Sequence, residues 1–280
     1  MQQHYIDCLS TAGFHKMAYV EWGAENKNAV VCVHGLTRNG RDFDFLSREL
    51  MSDYRIICPD IVGRGKSDWL PEAYLYNFPQ YLADLTALMA RLNVASVDWV
   101  GTSMGGVLGM LLAAQPHSPI RRLVMNDVGP QIPASAAKRI ADYAGKSLHF
   151  DSLEQVEAHF RKIYGPFGEL RDEHWAHIAK YSAKELDDGG YTCAYDPNII
   201  IPPVEGAPDI DLWDQWAGVK CPVLVLRGET SDILTKDTLE QMKATHNNIT
   251  AVEVADVAHA PALMEPSQID IITRWMRDTA

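Results

Sequence analysis

The chain has 280 residues, 47% of them apolar and 22% charged, which is length enough to bury a full-sized core as one large domain with room for an inserted module. Its 25 basic against 37 acidic residues give a net charge of −12, which opposes the counterion release that nucleic-acid binding depends on and disfavours anionic membrane surfaces. The longest apolar stretch, Val107 to Ala114, falls far short of the ~20 residues that span a bilayer, so neither nucleic acid nor a membrane is an expected partner.

Met1 to Ser10 lacks a basic segment followed by an apolar one, and the reading is a cytoplasmic protein. Lys16 to Trp22 alternates apolar and polar as an antiparallel strand does, and Ala29 to Val33 is uninterrupted, as a strand covered on both faces should be. Arg55 to Cys58 reads as the next strand. Behind Pro79, the residues Tyr81, Leu82, Leu85, Leu88, Met89 and Leu92 form a stripe at helical spacing. Val97 to Val100 is a strand, followed by a helix from Met104 to Gln115 that is apolar all round and therefore buried. After the strand Leu123 to Met125 the alternation breaks. Residues 130–211 carry helical patterns without a convincing strand: Leu153, Val156, Phe160 and Ile163, then Trp175, Ile178 and Tyr181, then a proline-rich loop from Asp196 to Pro208. Strands resume at Val223 to Leu226 and Ala251 to Val254, and Pro266 opens a last helix with Ile269, Ile272, Trp275 and Met276 on one face. Strands alternating with helices predict a mostly parallel sheet flanked by helices, with residues 1–129 and 212–280 as the core and 130–211 as a helical insertion. The odd, scattered cysteines Cys8, Cys32, Cys58, Cys193 and Cys221 read as reduced thiols.

Chemistry concentrates at strand ends. Gly101-Thr102-Ser103-Met104-Gly105 fits G-x-S-x-G between a strand and a helix. A sharp strand-to-helix turn needs neighbours without side chains, and it lifts the serine hydroxyl to the carboxyl end of the sheet, beside free N–H groups of the helix N-terminus. A serine hydroxyl becomes a nucleophile when a base takes its proton and a carboxylate orients that base. Two loops downstream leave carboxyl ends of strands: Arg227-Gly228-Glu229-Thr230-Ser231-Asp232, with two carboxylates, and Asp256-Val257-Ala258-His259-Ala260-Pro261.

With these in place the chain resembles the α/β-hydrolase family over essentially its whole length. His34-Gly35 after a strand, Asp60-x-x-Gly63-x-Gly65-x-Ser67, the Ser103 elbow, the Gly228-to-Asp232 turn and His259-x-Pro261-x-x-x-Glu265-Pro266 occur in the family's order. The resemblance implies Ser103 as nucleophile, His259 as general base and then acid, and Asp232 as its orienting partner. It also implies an oxyanion hole from the backbone N–H groups of Leu36 and Met104, and the insertion matches the helical cap that many members carry over the site.

Alternatives stand at several positions. Glu229 shares the loop of Asp232. Asp127 is a second rival acid, because some relatives place theirs after that strand, although a carboxylate capping the Val128-Gly129-Pro130 turn is the blander reading. His34, ahead of the nucleophile, reads as a residue that holds the oxyanion loop by hydrogen bonds. His174 and His177 have a spacing that could ligate metal but lack a third ligand, and Gly63-Arg64-Gly65-Lys66-Ser67 is only faintly like a phosphate loop. Of the insertion's aromatics, Phe160, Tyr164, Phe167, Trp175, Tyr181, Tyr191 and Tyr195, one or two are expected to line a pocket, while Trp213 and Trp216 read as packing anchors.

The expected function is therefore a cofactor- and metal-independent serine hydrolase of small to medium carboxylic esters or lactones, acting on a small-molecule substrate, with a homodimer compatible with the chain. Rivals sharing the same three residues are a carbon–carbon bond hydrolase of aromatic degradation and a perhydrolase. A small-molecule receptor is the rival without turnover. The net charge favours neutral esters, unless Arg64, Lys66 or basic residues of the insertion turn toward the pocket.

Overall fold

The computed structural model describes residues 1–200, 206 and 208–279; Pro202 and Pro203 of the expected loop lie outside them. In chain order the strands are β1 (Gln2–Ser10), β2 (Gly13–Trp22), β3 (Ala29–Val33), β4 (Arg55–Pro59), β5 (Val97–Thr102), β6 (Ile120–Asn126), the short β7 (Gln131–Ile132), β8 (Ala183–Glu185), β9 (Tyr191–Cys193) and β10 (Ile210–Asp211), then β11 (Val223–Gly228) and β12 (Ile249–Val254). The helices are α1 (Asp44–Leu50), α2 (Phe78–Leu92), α3 (Met104–Ala113), α4 (Ala134–Ala144), α5 (Leu153–Tyr164), α6 (Asp172–Ser182), α7 (Trp213–Gly218), α8 (Lys236–Thr245) and α9 (Pro266–Asp278).

Eight strands form one sheet in the order β1-β2-β4-β3-β5-β6-β11-β12. β1 and β2 pair antiparallel with each other, β2 is antiparallel to β4, and from β4 to β12 every pairing is parallel. The central strands carry no polar alternation because helices cover both faces. On one face Leu85 and Leu88 of α2 and Val107 and Leu108 of α3 pack against Val31, Trp99 and Leu123. On the other, Leu46 and Leu50 of α1 and Ile269, Ile272 and Met276 of α9 pack against Val30, Val100 and Leu224. β1 is not among the strands expected from the sequence. It is an edge strand whose Ile6, Cys8 and Ser10 alternate inward while Tyr5, Asp7 and Leu9 face out.

Between β6 and β11 the chain leaves the sheet. This segment holds α4, α5 and α6 as well as two small antiparallel pairs, β7 with β10 and β8 with β9, which the helical reading of 130–211 did not anticipate. Strands of two or three residues are too short to show alternation. α5 starts where the Ser152 hydroxyl accepts from the Gln155 N–H, an N-cap, and buries Val156, Phe160 and Tyr164 along one stripe. No helix of the described residues is long and apolar enough to cross a membrane.

Candidate active site

Ser103 is the hinge between β5 and α3. Its backbone sits at φ 51°, ψ −117°, a region that L-residues rarely occupy, and the glycines on either side explain why the turn closes. A Cβ on Gly101 would lie 2.2 Å from the Gly105 carbonyl oxygen, and one on Gly105 would lie 1.9 Å from that of Val33. The G-x-S-x-G spacing is thus a statement about how closely α3 backs onto β3 and β5. The Trp99 indole fixes the same point by donating to the Gly105 carbonyl at 2.9 Å.

The Ser103 hydroxyl lies 2.9 Å from His259 Nε2, and His259 Nδ1 lies 2.7 Å from Asp127 Oδ2. Asp127 is fully buried and accepts two further hydrogen bonds, from the Gly228 N–H at 2.7 Å and the Ser231 hydroxyl at 2.6 Å. An ionised carboxylate can only accept, so the proton of His259 sits on Nδ1 and Nε2 is free to accept from Ser103. Asp127 reaches this position because the parallel pairing of β6 with β11 continues past both strands: its N–H donates to the Leu226 carbonyl at 2.8 Å, and its φ of 57° turns the side chain toward His259. Asn126 joins the pieces. Its carbonyl accepts from the Ser103 N–H at 3.0 Å and its amide donates to the Pro261 carbonyl at 2.8 Å.

This corrects the expectation for Asp232. The residue does not touch His259; its carboxylate is bound by both ends of the Arg139 guanidinium, at 2.7 and 2.8 Å, with about half of each side chain exposed. The cause lies in the loop after β11. There Ser231, one residue earlier, turns inward under Asp127, which sends its neighbour outward. Glu229, the other carboxylate of that loop, accepts from the Asp256 N–H at 3.0 Å, holding the two strand-end loops together. Asp127 is more than the cap of a turn, and no local spacing distinguished it from Asp232. The usable signal was that both follow strands that must pair. Arg139 and Ser231 had no sequence signal at all.

The loop after β3 is held from below. His34 is fully buried; the Ile61 N–H donates to its Nε2 at 2.9 Å, so its Nδ1 carries the proton and donates to the Gly35 carbonyl at 2.7 Å. The Gly35 carbonyl also accepts from the Arg38 N–H at 3.1 Å. In a trans peptide the C=O and N–H point in opposite directions, so anchoring the Gly35 carbonyl turns the Leu36 N–H the other way. Gly35 itself lies 3.7 Å, measured from where its Cβ would be, from the Ser103 Cβ. Among the described residues, neither the Leu36 N–H nor the Met104 N–H has a backbone acceptor. Burial pushes the His34 ring down to about 4, which keeps it neutral. Asp60 braces the far side, accepting from the N–H groups of Gly40 and Lys66 at 2.8 Å each. Arg64 is buried behind the loop and donates to the Leu36 and Val62 carbonyls and the Tyr81 hydroxyl, while Lys66 is exposed.

Two chambers meet at Ser103. One, of about 330 Å³, is lined by Ser103, His259, Arg139, Tyr143, Tyr164 and Asp232 among others; Tyr164 and Phe167 are the aromatics of the expected set that reach it. The other, of about 440 Å³, runs past Met104 and Val107 to Ile140, Ile199 and Ile233, and no charged side chain lines it among the described residues. His174 and His177 are engaged otherwise: His174 lies 3.1 Å from Glu265 and His177 donates to the Arg41 carbonyl at 2.8 Å. Among the described residues, Cys8, His15 and Asp84 are the group that brings three potential ligand atoms within 4.8 Å, and His15 is already bonded to Asp84 at 2.9 Å.

Residues 28–266 match the family model of the alpha/beta hydrolase fold. The chain belongs to that family. It is 43% identical to the 3-hydroxybutyrate-oligomer hydrolase of Cupriavidus necator, over 97% of this chain and 96% of that one. Among solved structures, a hydrolase from Rickettsia typhi superposes with a TM-score of 0.93 at 37% identity, covering 100% of both chains. An alpha/beta hydrolase from Novosphingobium aromaticivorans superposes at 0.86 with 34% identity, covering 99% of this chain and 98% of that one. Gly35, Ser103, Asp127, Ser231 and His259 lie in the loops that follow the carboxyl ends of β3, β5, β6, β11 and β12, the edge at which an open α/β sheet gathers its ligands.

Proposed function

We propose that the protein is a serine hydrolase that cleaves short oligoesters of hydroxy acids, 3-hydroxybutyrate among them, through an acyl-enzyme on Ser103. The observation that carries the mechanism is the continuous relay Ser103–His259–Asp127 at 2.9 and 2.7 Å, opening into a cavity. The substrate class rests on the 43% identity, over nearly the full length of both chains, to an enzyme named for 3-hydroxybutyrate oligomers.

In this reading His259 Nε2 takes the Ser103 proton as Oγ bonds to the ester carbonyl carbon, and the N–H groups of Leu36 and Met104 hold the oxyanion, each donor contributing a few kcal/mol. As the C–O bond breaks, the imidazolium returns its proton to the leaving alkoxide. Water then adds to the acyl carbon with His259 as base, and the Oγ–C bond breaks to free Ser103. Asp127 holds the Nδ1–H tautomer and stabilises the imidazolium. Residues 130–211 act as a cap that walls the cavity through Arg139, Tyr143, Tyr164 and Phe167.

Ser103→Ala is expected to lower kcat for p-nitrophenyl butyrate and for the 3-hydroxybutyrate trimer by at least about 10³-fold. Circular dichroism should show the variant folded. Turnover of both esters at the parent's rate would overturn the reading.

A further inference from the structure

The two chambers are not equivalent with respect to the chemistry, because His259 borders the one that also holds Arg139 and Asp232, while the apolar one is lined by Ser103 and Met104 without it among the described residues. The group that receives the proton from His259 Nε2 is the leaving alkoxide, so the alcohol half of the ester lies in the chamber with the charges and the acyl half in the apolar one. We infer that this chamber is a carboxylate subsite: Arg139 binds the free carboxylate of a hydroxy acid that is the leaving group, so that the enzyme releases the carboxyl-terminal unit of an oligoester. The inference rests on the proposed ester hydrolysis and adds a direction to it.

The charge inventory of the chamber singles out Arg139. Arg38 also lines it, but that guanidinium is buried, is bonded to Asp42 through Nε at 2.9 Å and to the Ser182 hydroxyl at 3.0 Å, and lies 4.8 Å from the centre of the Tyr164 ring. It has little left to offer. Among the described residues Arg139 is held by Asp232 alone, and both side chains are about half exposed. Exposed ion pairs contribute little, so a substrate carboxylate can replace Asp232, which then becomes hydrated at little cost. Until that exchange, the two-point contact at 2.7 and 2.8 Å keeps the guanidinium aimed across the chamber, with the planar fork that a carboxylate needs. A local cation also answers the net charge of −12, which on its own would repel an anionic ester.

The inference is tested with the 3-hydroxybutyrate dimer as free acid and as its methyl ester, reading the ratio of kcat/KM for the two. In Arg139→Gln the ratio should fall at least tenfold, through KM for the free acid, with partial recovery in Arg139→Lys. In Asp232→Asn, where the competing carboxylate is gone, the ratio should rise two- to fivefold. A side chain that merely supported the fold would move both substrates together and could not give opposite signs in the two variants. Equal losses on both esters, or a ratio unmoved by either variant, would overturn the subsite and leave the Ser103 reading standing. Absence of Ser103-dependent cleavage of every ester in the parent would overturn both.

Discussion

The floor and the roof of the chamber are built differently. The floor is a set of parallel strand ends whose key polar groups are buried and hydrogen-bonded: Asp127 accepts three hydrogen bonds and is fully buried, and His34 is clamped between Ile61 and Gly35. The roof is α4 with its neighbours, and its charged contact to the floor is a half-exposed pair, Arg139 with Asp232. Buried hydrogen-bonded networks are intolerant of change, whereas an exposed pair can exchange partners for little free energy. In the proposed reading the chemistry therefore sits where the sheet fixes it, and selection among esters sits where the ion pair can rearrange.

Variants in the floor should remove turnover of every ester, and the largest effect is expected at Asp127. Asp127→Asn should lower kcat by about 10⁴ on the free acid and on its methyl ester alike, because an amide no longer enforces the Nδ1–H tautomer of His259. Asp232→Asn should change neutral-ester turnover by less than about tenfold, since the residue holds Arg139 instead. A reversal of those two magnitudes would return the acid's role to the loop after β11.

A second effect of the floor is on stability. The unfolded chain's His34 takes up a proton near its ordinary value of 6.5, while the folded chain resists down to about 4, so the contribution of His34 is complete above pH 6.5 and is lost as pH falls toward 4. Denaturant melts of the parent and His34→Gln should accordingly differ most at pH 7.5, and the gap should shrink by about 3 kcal/mol at pH 4. Asp60, pushed up to about 6 by burial, titrates over the same range with the opposite sign and cancels in this difference. A gap independent of pH would mean that the ring is not held neutral.

A much smaller effect than at Asp127 is expected at Ser231. Removing its hydroxyl takes one of three donors from the buried carboxylate, and Ser231→Ala should lower kcat about tenfold. No change would show that water replaces the hydroxyl in full.

The same contrast decides what could be read from the residues alone. β3 is an uninterrupted apolar run, and β5 and β11 are apolar but for Asp98, Thr102 and Arg227; all three were legible because both faces are covered. So was the Ser103 elbow, whose glycine spacing follows from local contact. β1 was not legible: Gln2, Gln3, His4 and Asp7 dilute the pattern of an edge strand with one buried face. Nor was α4, whose buried positions are the small Ala136 and Ala144 and which shows no stripe of large side chains. The choice between Asp127 and Asp232 depends on how β6 registers with β11, a contact about a hundred residues apart in sequence, and on a positive φ at Asp127. Neither leaves a mark in the neighbouring residues.

Among the described residues His259 lines one chamber and not the other, and this has a consequence for traffic. In the proposed mechanism the water that ends the cycle is activated by the same Nε2 that protonated the departing alcohol, so it enters through the space the alcohol has just vacated. Hydrolysis and release are then strictly ordered, with the hydroxy acid out before water comes in. A second hydroxy acid that occupies that space ahead of water would meet the acyl group with its own hydroxyl and be extended by it. In that mechanism, partition between cleavage and chain transfer varies with the concentration of the released product.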